Sequence, residues 1–168
     1  MKTILYSTLF LLLSSTVITA CAQNGKASPA NTATGKIGNA TITINYGAPS
    51  VKGRKIWGEL VPYGKVWRTG ANDATTFKVD QDIKVEGKAL PKGEYALFTV
   101  PEANEWIIIF NSNAKQWGAY SYKQEDDVLR VKVKPGTSSS FTETLKFEIA
   151  DGKVIFKWEN AEIAFGVK

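Results

Sequence analysis

At 168 residues, with 21 Lys and Arg against 16 Asp and Glu, one cysteine and no histidine, the chain has the length of one domain and a modest positive excess. Without histidine it holds no Ser-His-Asp triad, no histidine acid–base chemistry and no ordinary zinc ligand set, and a single cysteine excludes an internal disulfide. Only Arg54, Arg68 and Arg130 are arginine, which is not the clustered basic footprint of a nucleic-acid binder.

The N-terminus reads as an export signal. Lys2 supplies a basic start, and the apolar run from Ile4 to Ile18 is about 15 residues, short of the roughly 20 a spanning helix needs. It ends in Ile18-Thr19-Ala20-Cys21, which resembles the lipobox cut by lipoprotein signal peptidase. The plainer alternative is a small-residue cleavage site that happens to precede a cysteine. The lone Cys21 stands at the one position a lipobox requires, and acylation there answers where the partner of an odd exported cysteine is. The expectation is a signal peptide over residues 1–20 and a palmitate-bearing lipoprotein held on the outer membrane, at the periplasmic face or the cell surface. Residues 21–38 carry Gln, Asn, Ser, Thr, Ala, Gly and Pro and are expected as a lipidated flexible tether. The folded domain is expected over residues 39–168.

Period-two alternation then dominates. Ile42, Ile44 and Tyr46 share one face of a strand, and Leu129, Val131 and Val133 alternate with Arg130, Lys132 and Lys134. Leu145, Phe147 and Ile149 follow the same rule, as do Ile163, Phe165 and Val167. Trp106-Ile107-Ile108-Ile109-Phe110 is apolar on both faces and predicts a central strand, paired with Tyr95 to Val100 across Pro101 to Asn104. Asp151-Gly152 between alternating runs predicts a two-residue hairpin turn. Pro135 to Ser140 reads as a polar loop, and Ser112 to Gln116 has room for one helical turn. About nine short strands of this kind predict an all-β fold, a single antiparallel β-sandwich, with a closed β-barrel as the alternative.

Chemistry concentrates between Val51 and Asp73. Arg54, Trp57, Trp67, Arg68 and Asn72 lie there among Gly53, Gly58, Gly64 and Gly70, and loops on a rigid β scaffold are where binding residues usually sit. Trp67, Arg68 and Asn72 together suit a carboxylated or hydroxylated ligand. The competing reading makes Arg68 an internal brace to Glu59 or Asp73 and the tryptophans core. Trp117 and Tyr120, around Gly118 and Ala119, either form a platform for a sugar ring or plug one end of the sandwich. Arg130, Lys132 and Lys134 form a basic stripe, either solvated or facing lipid headgroups. Glu125-Asp126-Asp127 reads as a turn, or at most a weak calcium loop without the usual alternating ligand spacing, and a hydrolase carboxylate pair can be drawn only loosely from Glu59, Asp73 and Glu94.

Val66-Trp67-Arg68-Thr69-Gly70-Ala71-Asn72-Asp73-Ala74-Thr75-Thr76, Leu90-Pro91-Lys92-Gly93-Glu94-Tyr95-Ala96-Leu97-Phe98, Gln116-Trp117-Gly118-Ala119-Tyr120 and Asp127-Val128-Leu129-Arg130 resemble the domain of unknown function 2911 family. The resemblance runs from about Tyr46 to Pro135, more loosely to Trp158. It implies an exported β-rich domain of the kind common in Bacteroidota and carries no catalytic residues. The expected function is a non-catalytic ligand- or partner-binding envelope domain, with Arg54, Trp67, Arg68, Asn72, Trp117 and Tyr120 as candidate contacts. Its partners would be the membrane through the anchor and a glycan, a small anionic ligand or an envelope protein, without nucleic acid, metal or cofactor. A carboxylate-dependent hydrolase acting on envelope or extracellular glycans and a structural subunit of an envelope complex are the alternatives.

Overall fold

The computed structural model describes residues 28–168. The expected signal peptide of residues 1–20, the expected lipidation site Cys21 and the first part of the expected tether, residues 21–27, lie outside the described residues.

The described chain is all-β. Its strands are β1 (Ala30–Ile37), β2 (Ala40–Gly47), β3 (Ala71–Val79), β4 (Ile83–Val85), β5 (Lys88–Leu90), β6 (Gly93–Val100), β7 (Trp106–Asn111), β8 (Asp127–Val133), β9 (Gly136–Ala150) and β10 (Lys153–Gly166). Six of them form an antiparallel sheet in the order β1-β2-β3-β6-β7-β8. The long β9–β10 ribbon packs against it through rings such as Tyr46 on Phe147 and Phe110 on Phe165. Short pairings widen the ribbon into a second layer: Val51 N donates to Glu143 O at 2.8 Å, and Lys84 N donates to the chain's last residue, Lys168, at 2.7 Å. The six-stranded sheet keeps open edges at β1 and β8, so the fold is a sandwich and not the closed barrel.

The predicted alternation fills the space between the layers. Ile42, Ile44, Tyr46, Leu129, Val131, Leu145, Phe147, Ile163 and Phe165 all enter one buried core. Asp151 and Gly152 both take positive φ, 52° and 69°, as a tight two-residue turn demands, and set Ala150 opposite Lys153. The doubly apolar run is β7. Trp106, Ile108 and Phe110 face the ribbon, while Ile109 joins Ala74, Ala96, Phe98 and Val100 in a smaller core on the outer sheet face. Val66, Ala119 and Tyr122 pack against that second core. They belong to the β2–β3 and β7–β8 connections, so both connections are folded onto the sheet.

Three expectations are corrected. Residues 30–37, assigned to the tether, form β1 and pair with β2 along their whole length, from Ala30 opposite Gly47 to Ile37 opposite Ala40. Their small side chains are a packing requirement: a Cβ on Gly35 would stand 2.7 Å from the Ile149 side chain. The polar stretch after Pro135 is no loop, because β9 begins at Gly136 and leans on β10 through an irregular register. Ser112 to Gln116 makes no helical turn; a 3-10 turn falls instead at Gln124–Asp126, within the acidic stretch. Among the described residues no helix is long and apolar enough to cross a membrane.

Candidate functional site

The β2–β3 connection folds across one end of the sandwich. Trp67 N donates to Thr99 O at 2.8 Å and Thr99 N donates back to Trp67 O at 2.9 Å, so Trp67 extends the sheet beside the end of β6. In a strand, successive side chains point to opposite faces. Trp67 turns inward, stacks on Trp158 with ring centroids 5.8 Å apart, and donates its Nε1 to Gly70 O at 3.2 Å. Trp57 meets Trp67, Trp106 and Trp158 edge-on at 5.0 to 5.8 Å. Four tryptophans thus close the end of the core.

Above this floor lies a cleft of about 230 Å³, lined by residues that include Arg54, Leu60, Trp67, Arg68, Asn72 and Trp158. Arg68, one residue on from Trp67, is half-buried. Its Nε is buried without a hydrogen-bond partner among the described residues, and so is the Nε1 of Trp158. The brace expected from Glu59 is absent, since Glu59 pairs with Lys55 at 3.0 Å on the surface. Two donors without acceptors therefore belong to residues of one cleft. The chemistry that completes them is an oxygen acceptor, best a carboxylate or another anion facing the guanidinium.

The backbone under this cleft is strained. Thr69 (φ 53°) and Asn72 (φ 64°) both sit in the left-handed region, which a β-branched residue rarely enters. Buried hydrogen bonds hold the turn: Thr75 Oγ1 donates to Thr69 O at 2.9 Å, and Thr69 Oγ1 bonds Thr99 Oγ1 at 3.2 Å. Gly70 permits a tight crossing, because a Cβ there would approach Gly47 O and Thr75 Oγ1 to 2.9 Å. Asn72 Nδ2 donates to Ser28 O at 3.0 Å, which ties the start of the described chain to the rim.

The Trp117–Tyr120 turn joins this end from the β7–β8 connection. Gly118 N donates to Asn72 O at 3.2 Å, Ala74 N donates to Gln116 O at 3.0 Å, and Asp73 and Trp117 form a β-bridge. Gly118 lies against Arg68: a Cβ on it would stand 4.0 Å from the Arg68 Cδ and 3.1 Å from the Tyr120 ring. Trp117 is 55% exposed and Tyr120 87% exposed, so neither is an interior plug.

The six candidate residues therefore converge on one end of the molecule, in different capacities. Arg68 and Asn72 line the cleft. Arg54 lines it too, but its guanidinium folds back onto its own loop, with Nε donating to Val51 O at 3.0 Å and an Nη to Ser50 O at 2.5 Å. Trp67 is mostly core. Trp117 and Tyr120 stand on the neighbouring outer surface. Trp158 was missed as a cleft residue, because its alternation with Phe156 signals only burial; the strained Thr69 carried no signal beyond the glycine that follows it.

Two members of the predicted basic stripe, Arg130 and Lys132, are engaged. Arg130 is no member of an open basic stripe: an Nη donates to Asp127 Oδ2 at 2.7 Å and to the Tyr122 hydroxyl at 2.8 Å. Burial, with the hydrogen bond to Asp127 next, pushes the Tyr122 phenol up to about 12. Lys132 pairs with Glu105 at 2.7 Å. Glu94 stands opposite Lys78, five residues along β3 from Asp73. At ~3.4 Å per residue that is about 17 Å, beyond the roughly 6.5–9.5 Å that separates an inverting carboxylate pair.

No curated protein and no solved structure matches the chain. One family model does, over residues 28–167, and it takes in β1 as well as the end cleft and the Trp117 turn. By that match the chain belongs to the family described as "Protein of unknown function (DUF2911)".

Proposed function

We propose that this protein is a non-catalytic binding module of the cell envelope, held on the outer membrane through an acylated Cys21, that captures a small anionic ligand or an anionic group of an envelope partner in the Arg68 cleft. The observation that carries this reading is Arg68 itself, a half-buried guanidinium whose buried Nε has no acceptor and whose charge has no carboxylate among the described residues. Burying a charge is costly unless it is paired, so a group kept this way is completed from outside the fold. Trp158, whose buried Nε1 also has no acceptor, lines the same cleft, and the strained Thr69–Asn72 turn fixes the rim that a ligand would meet. The hydrolase reading lacks a carboxylate pair drawn from Asp73 and Glu94 at working separation.

Trp67 and Trp158 line the cleft, so intrinsic fluorescence reports its occupancy. Titration with acetate, succinate and inorganic phosphate is expected to change the emission for at least one of them, and Arg68→Ala is expected to abolish the change. An equal response from Arg68→Ala, or none from the wild-type chain to any of the three, overturns the proposal. For the anchor, Cys21→Ser should release the protein from the membrane fraction and stop palmitate labelling; a mutant that still labels and sediments with membranes removes that part of the reading.

A further inference from the structure

The chain enters the described fold at the rim of the Arg68 cleft. Ser28 lines that cleft and its carbonyl accepts from Asn72 Nδ2 at 3.0 Å; Pro29 O accepts from Ala48 N at 2.8 Å just before β1 begins. Cys21 precedes Ser28 by seven residues. Seven steps of ~3.4 Å reach about 24 Å at most, so a membrane that holds Cys21 lies within that reach of Ser28. β1 then leads away from this end for eight residues, about 26 Å at ~3.3 Å per residue. Of the two ends of the sandwich, the one with the cleft is the one joined to Cys21.

That end also has the surface of a bilayer-facing one. The connection over residues 48–70 carries Lys52, Arg54, Lys55, Lys65 and Arg68 against Glu59 alone. Glu102 comes up beside Gly64, and Glu143 accepts from Lys52 N at 2.9 Å, yet the basic side chains still outnumber the acidic ones. Lys52, Lys55 and Lys65 are exposed. Apolar bodies stand among them: Leu60, in the cleft lining, and Tyr63 are each 45% exposed, and the more exposed Tyr120 ring lies beside Gly118, against Arg68.

We infer, on the reading of cleft and anchor given above, that the anion of the Arg68 cleft is an anionic phospholipid headgroup in the leaflet that holds Cys21. The domain then docks end-on to its own membrane. Arg68 Nε, buried without an acceptor, offers a phosphate oxygen a hydrogen bond as well as a charge. A cleft of about 230 Å³ is smaller than the roughly 300–1,000 Å³ that encloses a drug-sized ligand, so it takes a head and leaves acyl chains outside. Exposed lysines are drawn to an anionic leaflet, and tyrosine rings settle at headgroup level, with one side wet and the other apolar. A short linkage to the membrane also raises the local headgroup concentration, so a shallow cleft suffices.

The test uses the mature protein purified from membranes and reconstituted into phosphatidylcholine vesicles with and without phosphatidylglycerol. Both carry a lipid with a dansyl-labelled headgroup, and energy transfer from the tryptophans reads how closely the cleft end sits on the bilayer. Transfer is expected to rise with phosphatidylglycerol. Lys52→Ala should lower the ratio of docked to undocked protein about fivefold, as loss of one basic residue near an anionic surface does. Arg68→Ala should lower it by about tenfold or more, because charge-assisted hydrogen bonds are lost as well. Equal transfer in the two vesicle types overturns the inference. So do equal losses from the two variants, which mean diffuse attraction without a seat for the headgroup. A fluorescence response to succinate or inorganic phosphate, with no rise on phosphatidylglycerol, overturns it too and leaves the anion cleft standing. Protein that incorporates into neither vesicle shows the anchor to be wrong, and the inference falls with it.

Discussion

Arg130 and Arg68 are both half-buried, and both lie against the loops folded onto the outer sheet face. Arg130 is enclosed by its own fold. Its partner Asp127 is only 4% exposed in its side chain and uses both oxygens, accepting from Asn111 Nδ2 at 2.8 Å on one and from Tyr122 and Arg130 at 2.6 and 2.7 Å on the other. That knot pins the β7–β8 connection onto the small outer core. Arg68 lies beside the turn at the start of the same connection, and nothing in the described chain answers its charge. The cost of burying a cation is the same in kind at both positions. At Arg130 the chain meets it with a carboxylate, so the residue belongs to the architecture; at Arg68 the chain leaves it open, and that difference is what supports the proposed binding role.

Mutations sharpen or break that comparison. A core truncation sets the scale: Ile108, fully buried in β7, should cost about 2–5 kcal/mol as Ile108→Ala through lost burial and a cavity, read by denaturant unfolding. Asp127→Ala comes next. It strands Arg130, Asn111 and Tyr122 at once and should cost about 2–3 kcal/mol, with Arg130's partial exposure keeping it below a fully buried ion pair. Arg68→Ala should fall within about 1 kcal/mol of wild type, because it removes a donor that had no partner to strand. If Arg68→Ala destabilises the domain as much as Asp127→Ala does, Arg68 is a brace after all and the comparison collapses.

How much of this was legible in the chain follows from how local each signal is. Alternation located β2, β8 and the ends of the β9–β10 ribbon, because a half-buried strand writes its burial into every second residue, while a run apolar on both faces located β7. The same rule could not find β1. Its inward side is made of Ala33 and Gly35, with one large residue, Ile37, at its end, and small residues look like linker unless one knows that Ile149 lies across from them. At the site, the concentration of Arg68, Asn72 and their glycines was visible, but the division of labour was not. Trp67 and Arg68 are adjacent in sequence and opposite in role, and the short pairing of Trp67 with Thr99 is what separates them. Nothing in the spacing shows that Trp117 will stand beside Asp73, since β4, β5, β6 and β7 lie between them along the chain. The aromatic could be noticed, whereas its place beside β3 exists only once the strands are assembled.

The smallest expected effect probes the closed half of the comparison by pH. The Tyr122 phenol is held above its ordinary value of 10.0, at about 12, with burial the larger cause and its bond to Asp127 the next. A group whose folded-state value is raised keeps its proton more tightly in the native state than in the unfolded one. Its contribution to stability is therefore complete below about pH 10 and is lost as the pH climbs towards 12. Tyr122→Phe keeps the ring that packs on Phe98, with centroids 5.2 Å apart, and deletes only the hydroxyl. At pH 8 the variant should be less stable than wild type by about 1 kcal/mol, the usual worth of one such hydrogen bond. Between pH 10 and 12 wild type should decline faster than the variant, since it alone carries this titrating hydroxyl, and the gap should close. Urea unfolding at pH 8, 10 and 11 reads the gap directly. A gap that stays constant across that range would mean the Asp127–Tyr122–Arg130 knot does not hold the phenol's proton, and Arg130 would then stand closer to Arg68 than its geometry implies.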